Sequence, residues 1–116
     1  MVVGRPDDDD VDRLFGALAD ATRRDIVRRV MGSEASVSTL ARSYAMSFAA
    51  VQKHVAVLER AGLVSKERRG REQIVRGDIG TIRAAVRLLD VYEELWRDRI
   101  GRIEDLLALP PEGDVR

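Results

Sequence analysis

Apolar residues recur at steps of three and four through most of the chain, and the breaks in that rhythm divide it into elements. The first rhythm, Val11, Leu14, Phe15 and Leu18, predicts a helix over residues 11–19, weakened at Gly16. Asp20 predicts a second helix start, because its carboxylate can accept an orphan backbone N–H. Ile26, Val27, Val30 and Met31 supply the buried side of that helix before Gly32 ends it, with Arg23, Arg24, Arg28 and Arg29 on its other faces. Residues 32–38, rich in Ser and Gly, read as a loop. A short third helix is expected over residues 39–44, with Leu40, Ala41 and Tyr44 inward, and Ala45 and Met46 lead tightly into a fourth. The fourth runs from a cap at Ser47 to a stop at Gly62, with Val51, Val55, Leu58 and Ala61 inward and Gln52, Lys53, Glu59 and Arg60 outward.

After Gly62 the pattern becomes extended. Residues 63–68 and 72–76 flank Arg69, Gly70 and Arg71, and Gly70 supplies the positive φ a tight hairpin needs. From Ile79, with Asp78 or Thr81 as its cap, a long helix is predicted: Ile82, Val86, Leu89, Tyr92, Trp96, Ile100, Ile103 and Leu107 hold one stripe to about Leu109, where Pro110 and Pro111 stop it. This stripe exceeds what so small a core needs, and the surplus points to a partner helix, most simply the same helix of a second copy. Aromatics at helical spacing are usually core, so Tyr92 and Trp96 are not read as a cofactor box. Two short helices joined by a turn form a helix-turn-helix, whose second helix enters a major groove.

With 116 residues, the chain suits one domain with a modest core. Hydrophobic residues make up 45% and charged residues 34%; no apolar run approaches a bilayer span and the N-terminus lacks a signal-peptide core, so a cytoplasmic protein away from membranes is expected. The formal net charge is zero, but the distribution is uneven: residues 1–35 sum to −2, residues 36–76 to +5 and residues 77–116 to −3. Positive charge thus gathers in the third that holds the helix-turn-helix and the hairpin, as a surface facing a polyanion requires. In the hairpin Lys66, Arg68, Arg69, Arg71 and Arg76 stand against Glu67 and Glu72, and Arg can grip phosphate oxygens with a forked pair of donors. The chain has no Cys and one His, which removes thiolate catalysis, disulfides and the usual transition-metal ligands. No nucleophile and base are paired in sequence and no glycine-rich phosphate loop is present, so an enzyme is not expected.

Three stretches carry a resemblance: LFGALADATRRDIV, then LARSYAMSFAAVQKHVAVLERAGLV, then the ERRGREQIV hairpin. In this order they resemble the ArsR/SmtB family of winged-helix transcriptional regulators over roughly residues 11–76. The resemblance implies a mainly α fold with a small two-stranded β-wing, a winged helix-turn-helix with a long C-terminal dimerisation helix. It also implies a homodimeric repressor of double-stranded DNA, binding an imperfect palindrome and often controlling its own operon. Ala21 stands where the family commonly has Pro, a change that costs little at a first helical position. The chain is read as a single domain: a tail over 1–10, the DNA-binding part over 11–76, the dimerisation helix over 77–109 and a tail over 110–116.

Carried onto this sequence, the family's DNA-binding positions are Ser47 as cap and Phe48, Ala49, Gln52 and Lys53 toward the bases, with His54 as a hydrogen-bonding or phosphate-contacting residue. Gln pairs two-fold with adenine and Lys donates to guanine. Phe48 and Ala49 are apolar where the family is commonly polar, which leaves thymine-methyl contact, or a Phe48 turned inward as packing. Arg68, Arg69 and Arg71 of the wing are the expected phosphate contacts. Leu14, Leu89, Tyr92, Trp96, Ile100 and Ile103 are assigned to the subunit interface. Metal-sensing relatives carry Cys pairs or His and carboxylate clusters; here Asp90, Glu93, Glu94 and Asp98 are poor substitutes and read as a solvated face, so no metal or cofactor is assigned. Any signal is then an unidentified small molecule, a partner protein or the protein's own concentration. The competing reading is a winged-helix protein interaction module that uses the C-terminal helix, distinguished by the salt dependence of DNA binding.

Overall fold

The structure is a computed structural model that describes residues 7–108. Helix α1 (Asp8–Leu18) begins three residues earlier than the apolar rhythm predicts. Asp7 caps it, its side chain accepting the Asp9 N–H at 2.8 Å, and Asp8, Asp9 and Asp10 fill the first turn, where carboxylates complement the helix dipole. The expected tail over 1–10 is therefore corrected at residues 8–10; residues 1–6 lie outside the described residues. Helix α2 (Ala21–Gly32) has the expected cap, with Asp20 accepting the Arg23 N–H at 3.0 Å, and the expected buried Ile26, Val27 and Val30.

The predicted loop over 32–38 is instead a strand and a helix start. Strand β1 (Ala35–Ser36) is followed at once by α3 (Val37–Ala41), shorter and earlier than the predicted 39–44, because Ser36 caps it by accepting the Thr39 N–H. Helix α4 (Phe48–Arg60) starts from Ser47, whose side chain accepts the Ala50 N–H at 3.1 Å. At its far end Gly62 has φ +77°, the Leu63 N–H bonds to the Leu58 carbonyl and the Gly62 N–H to the Glu59 carbonyl. This is a Schellman stop, which only glycine enters without strain, and it releases the chain directly into the sheet.

Strands β2 (Val64–Arg69) and β3 (Glu72–Gly77) form the hairpin, joined by Gly70 and Arg71 with Gly70 at φ +65°. The wing is part of a three-stranded antiparallel sheet in the order β1-β3-β2, not a two-stranded ribbon, since Ala35 pairs with Val75 and Ser36 with Ile74. Side chains of Ile26, Leu40, Val51, Val55, Leu58, Leu63 and Val75 are fully buried at the centre, so both helices of the helix-turn-helix and the base of the wing share one core.

Helix α5 (Ile79–Ala108) is the predicted long helix. Asp78 is its cap, accepting the Gly80 N–H, whereas Thr81, the other candidate, donates its hydroxyl to the Gly62 carbonyl at 2.6 Å. The chain through Ala85 is one compact unit, to which Ile82 and Ala85 of α5 contribute core packing, and a second unit begins at Val86. The predicted end near Leu109, the Pro110–Pro111 stop and the tail over 110–116 lie outside the described residues.

Candidate nucleic-acid interface

The N-terminal half of α4 is fixed from two directions. Its cap at Ser47 sets where the helix starts, and Val51, Val55 and Leu58, at most 1% exposed, lock its rotation against the core. Residues three and four apart share a face, so Ala49, Gln52 and Lys53 emerge together on the side opposite that stripe, and all three are exposed. Phe48 is 46% exposed, so it is not packed inward. An exposed ring at the first helical position, followed by a small Ala and then Gln and Lys, makes a surface with an apolar tip and donors one turn behind it.

His54 lies off that face. It is half-buried, with Nδ1 3.4 Å from Arg23 Nη1, at the long edge of a hydrogen bond. Arginine only donates, so in this contact Nδ1 takes the accepting role. The same Arg23 donates through Nε to the Ala17 carbonyl at 2.7 Å and through Nη2 to the Gly16 carbonyl at 3.1 Å. Arg23 thus ties the end of α1 to α4, and of the two roles expected for His54 the hydrogen-bonding one is present within the chain. The Arg23 backbone N–H also holds the Asp20 carboxyl below its ordinary range.

The turn before α4 is anchored by Tyr44, whose hydroxyl donates to Asp25 Oδ2 at 2.6 Å and whose ring lies 5.5 Å beneath the Arg29 guanidinium. Sequence reasoning placed Tyr44 inward but gave no role to Asp25, since the pair is 19 residues apart and neither residue type announces the other.

The wing differs most from expectation. Arg69 Nη1 is 3.0 Å from Glu34 Oε1 and its Nη2 is 2.6 Å from Glu67 Oε1; Arg76 Nε is 2.8 Å from Glu34 Oε2 and its Nη2 3.3 Å from Glu67 Oε1. Hydrogen bonds from Arg69 and then Arg76 hold the Glu34 carboxyl down at about 2. Lys66 pairs with Glu59 of α4 at 3.4 Å. Arg68 and Arg71 are exposed and have no ion pair among the described residues. Sequence reasoning missed Glu34, because it reaches the hairpin only through a two-residue strand.

Leu14, assigned to the subunit interface, is corrected: at 6% exposure it packs in the chain's own core. Within the second unit Leu89, Tyr92, Trp96 and Ile103 of α5 are exposed and Ile100 is half-buried. Among the described residues no three His, Cys, Asp or Glu side chains gather as a metal site requires, and no helix is long and apolar enough to cross a membrane.

A family model described as a helix-turn-helix domain matches residues 18–67. The chain is 40% identical over 67 residues, 58% of its length, to the HTH-type transcriptional regulator Rv2034 of Mycobacterium tuberculosis (strain ATCC 25618 / H37Rv); the match spans 63% of that protein, less than two thirds. The crystal structure of an ArsR family transcriptional regulator, RHA00566, matches with TM-score 0.76 at 29% identity over 80% of this chain and 96% of that one. That of a possible transcriptional regulator for arsenical resistance matches with TM-score 0.62 at 30% identity over 81% and 94%. The chain belongs to the ArsR family of transcriptional regulators. Mb0332 from Mycobacterium bovis, described as a homodimeric winged helix-turn-helix DNA-binding domain of a possible ArsR-family regulator, matches with TM-score 0.62 at 25% identity over 80% and 92%. In this chain Phe48 is outward beside Ala49, and Arg69 of the hairpin is already paired with Glu34 and Glu67.

Proposed function

We propose that this ArsR-family chain binds DNA sequence-specifically as a homodimer, recognises an imperfect palindrome and represses transcription, including that of its own gene, in the cytoplasm and without responding to metals. The observation that carries the reading is the outward face of α4, where Phe48, Ala49, Gln52 and Lys53 are exposed on a helix whose start and rotation are fixed. A B-DNA major groove about 12 Å wide admits one helix, and Gln and Lys carry the donors its base edges read. Phe48, being outward, is assigned to the thymine methyl. Residues 11–76 serve DNA and residues 77–109 serve dimerisation.

The dimer reading is supported by the exposed Leu89, Tyr92, Trp96 and Ile103 on one stripe of α5, and by the homodimeric state of Mb0332. Two copies related by a two-fold axis present two α4 helices to two half-sites, which makes the operator palindromic and spaces its halves about one helical turn, roughly 34–36 Å, apart. A dimer seated over a promoter occupies duplex that the polymerase needs. The absence of Cys and the single His, itself turned toward Arg23, supports a signal other than a transition metal.

A footprint on the DNA upstream of the protein's own gene tests the reading. Protection of two similar half-sites about one turn apart is expected; binding without a protected sequence, at equal affinity for any duplex, contradicts it.

A further inference from the structure

We propose that Glu34 and Glu67 are positioning residues of the wing: they hold Arg69 and Arg76 on one face of the sheet, so that Arg68 and Arg71 carry the wing's grip on phosphate. The inference rests on the DNA-binding reading above.

The pairing register assigns the faces. Arg69 pairs with Glu72, Glu67 with Ile74 and Ser65 with Arg76, and alternate residues of a strand share a face, so Glu67, Arg69 and Arg76 lie on the same side. Glu34 immediately precedes β1, whose Ala35 pairs with Val75, which brings Glu34 level with Arg76 on that side. All three strands therefore converge on one four-member cluster of two guanidiniums and two carboxylates, with no net charge.

The fork of Arg69 is filled. Nη1 and Nη2 reach Glu34 Oε1 and Oε2 at 3.0 and 3.4 Å, and Nη2 also reaches Glu67 Oε1 at 2.6 Å. These are the two parallel donors that a phosphate would otherwise receive. Turning Arg69 to a phosphate would leave Glu34 and Glu67 short of a partner beside a polyanion, so like-charge repulsion opposes the exchange as well as the lost bonds. Arg68 is on the opposite face, paired in register with Gln73, and Arg71 stands in the hairpin loop; among the described residues neither has a carboxylate to give up. The apparent basic surplus of the hairpin thus reduces to two free guanidiniums at its tip.

The experiment is the slope of log affinity against log salt for a short duplex of arbitrary sequence, since each phosphate contact contributes about 0.9 to it. Arg71→Ala should flatten the slope by about 0.9, and Arg69→Ala should leave it unchanged. Glu34→Gln with Glu67→Gln should free Arg69 and Arg76 and steepen the slope by about 0.9 for each guanidinium that turns to a phosphate, and adding Arg69→Ala with Arg76→Ala to that pair should return it to the wild-type value. Equal flattening by Arg69→Ala and Arg71→Ala would overturn the proposal. So would a steepening by the glutamine pair that persists without Arg69 and Arg76, which would mean that the carboxylates act only as negative charges near DNA. Circular dichroism checks that each variant is folded; if the glutamine pair is not, the comparison of Arg69→Ala with Arg71→Ala decides the proposal alone. A wild-type slope near zero would refute the DNA-binding reading itself, and this proposal with it, before any variant is made.

Discussion

The Tyr44 hydroxyl and Asp25 Oδ2 are 2.6 Å apart, joining the turn of the helix-turn-helix to α2. Asp25 also accepts from Arg29 Nε at 2.8 Å and from Arg28, and these bonds, led by that of Arg29, hold its carboxyl well below the usual range. Burial first, and then the bond to Asp25, pushes the Tyr44 hydroxyl up to about 12.

Tyr44→Phe should therefore lower the melting temperature at pH 7. The sign of the pH dependence follows from the shifts. A carboxyl depressed in the native state stabilises it above its ordinary value of 3.8 for Asp25, and that contribution is lost as pH falls toward the lower native value. Glu34 loses its contribution between 4.5 and about 2. Tyr44, raised in the native state, contributes fully below 10.0 and loses its share as pH rises through about 12. Melting curves from pH 2 to 7 should show wild-type stability falling below about pH 4.5, with a shallower fall in Tyr44→Phe. An unchanged melting temperature at pH 7 would mean that the bond adds nothing to the anchoring of the turn.

Dimerisation through α5 predicts that Leu89→Glu or Trp96→Glu yields monomers, because each would bury an unpaired charge against the partner. Circular dichroism should show the helices retained, since both side chains are exposed in the single chain. Sedimentation of wild-type protein as a monomer at micromolar concentration would contradict the dimer.

Stoichiometric zinc, nickel, cadmium or arsenite should leave DNA affinity unchanged, because the chain offers no thiolate and its one imidazole is turned to Arg23. Loss of operator binding on adding metal, restored by a chelator, would show that carboxylates serve as ligands after all.

What could be read in the sequence was local chemistry. Ser47 and Gly62 bound α4 because capping and a left-handed stop depend on one residue and its neighbours, and the inward stripe of Val51, Val55 and Leu58 is a matter of spacing alone. The same holds for Gly70 in the hairpin and Asp20 at α2. What could not be read depends on distant partners. Ala35 and Ser36 have no strand pattern of their own and become β1 only by pairing with Val75 and Ile74. In the sequence Arg69 reads as a phosphate contact on the same footing as Arg68 and Arg71, because its two carboxylates are Glu67, two positions away with no visible claim on it, and Glu34, 35 positions away. Leu14 shows the same limit from the other side: periodicity marks a residue as inward without saying whether it faces its own core or a second subunit.

The central claim, that the exposed face of α4 reads bases, is tested most directly at Lys53. Lys53→Ala should weaken binding to the footprinted operator by roughly 1–3 kcal/mol while leaving affinity for a scrambled duplex nearly intact. Titrations of both duplexes at several salt concentrations measure the two quantities together. An equal loss on operator and scrambled duplex, with a flattened salt slope, would make Lys53 a phosphate contact and contradict the placement of α4 in the groove.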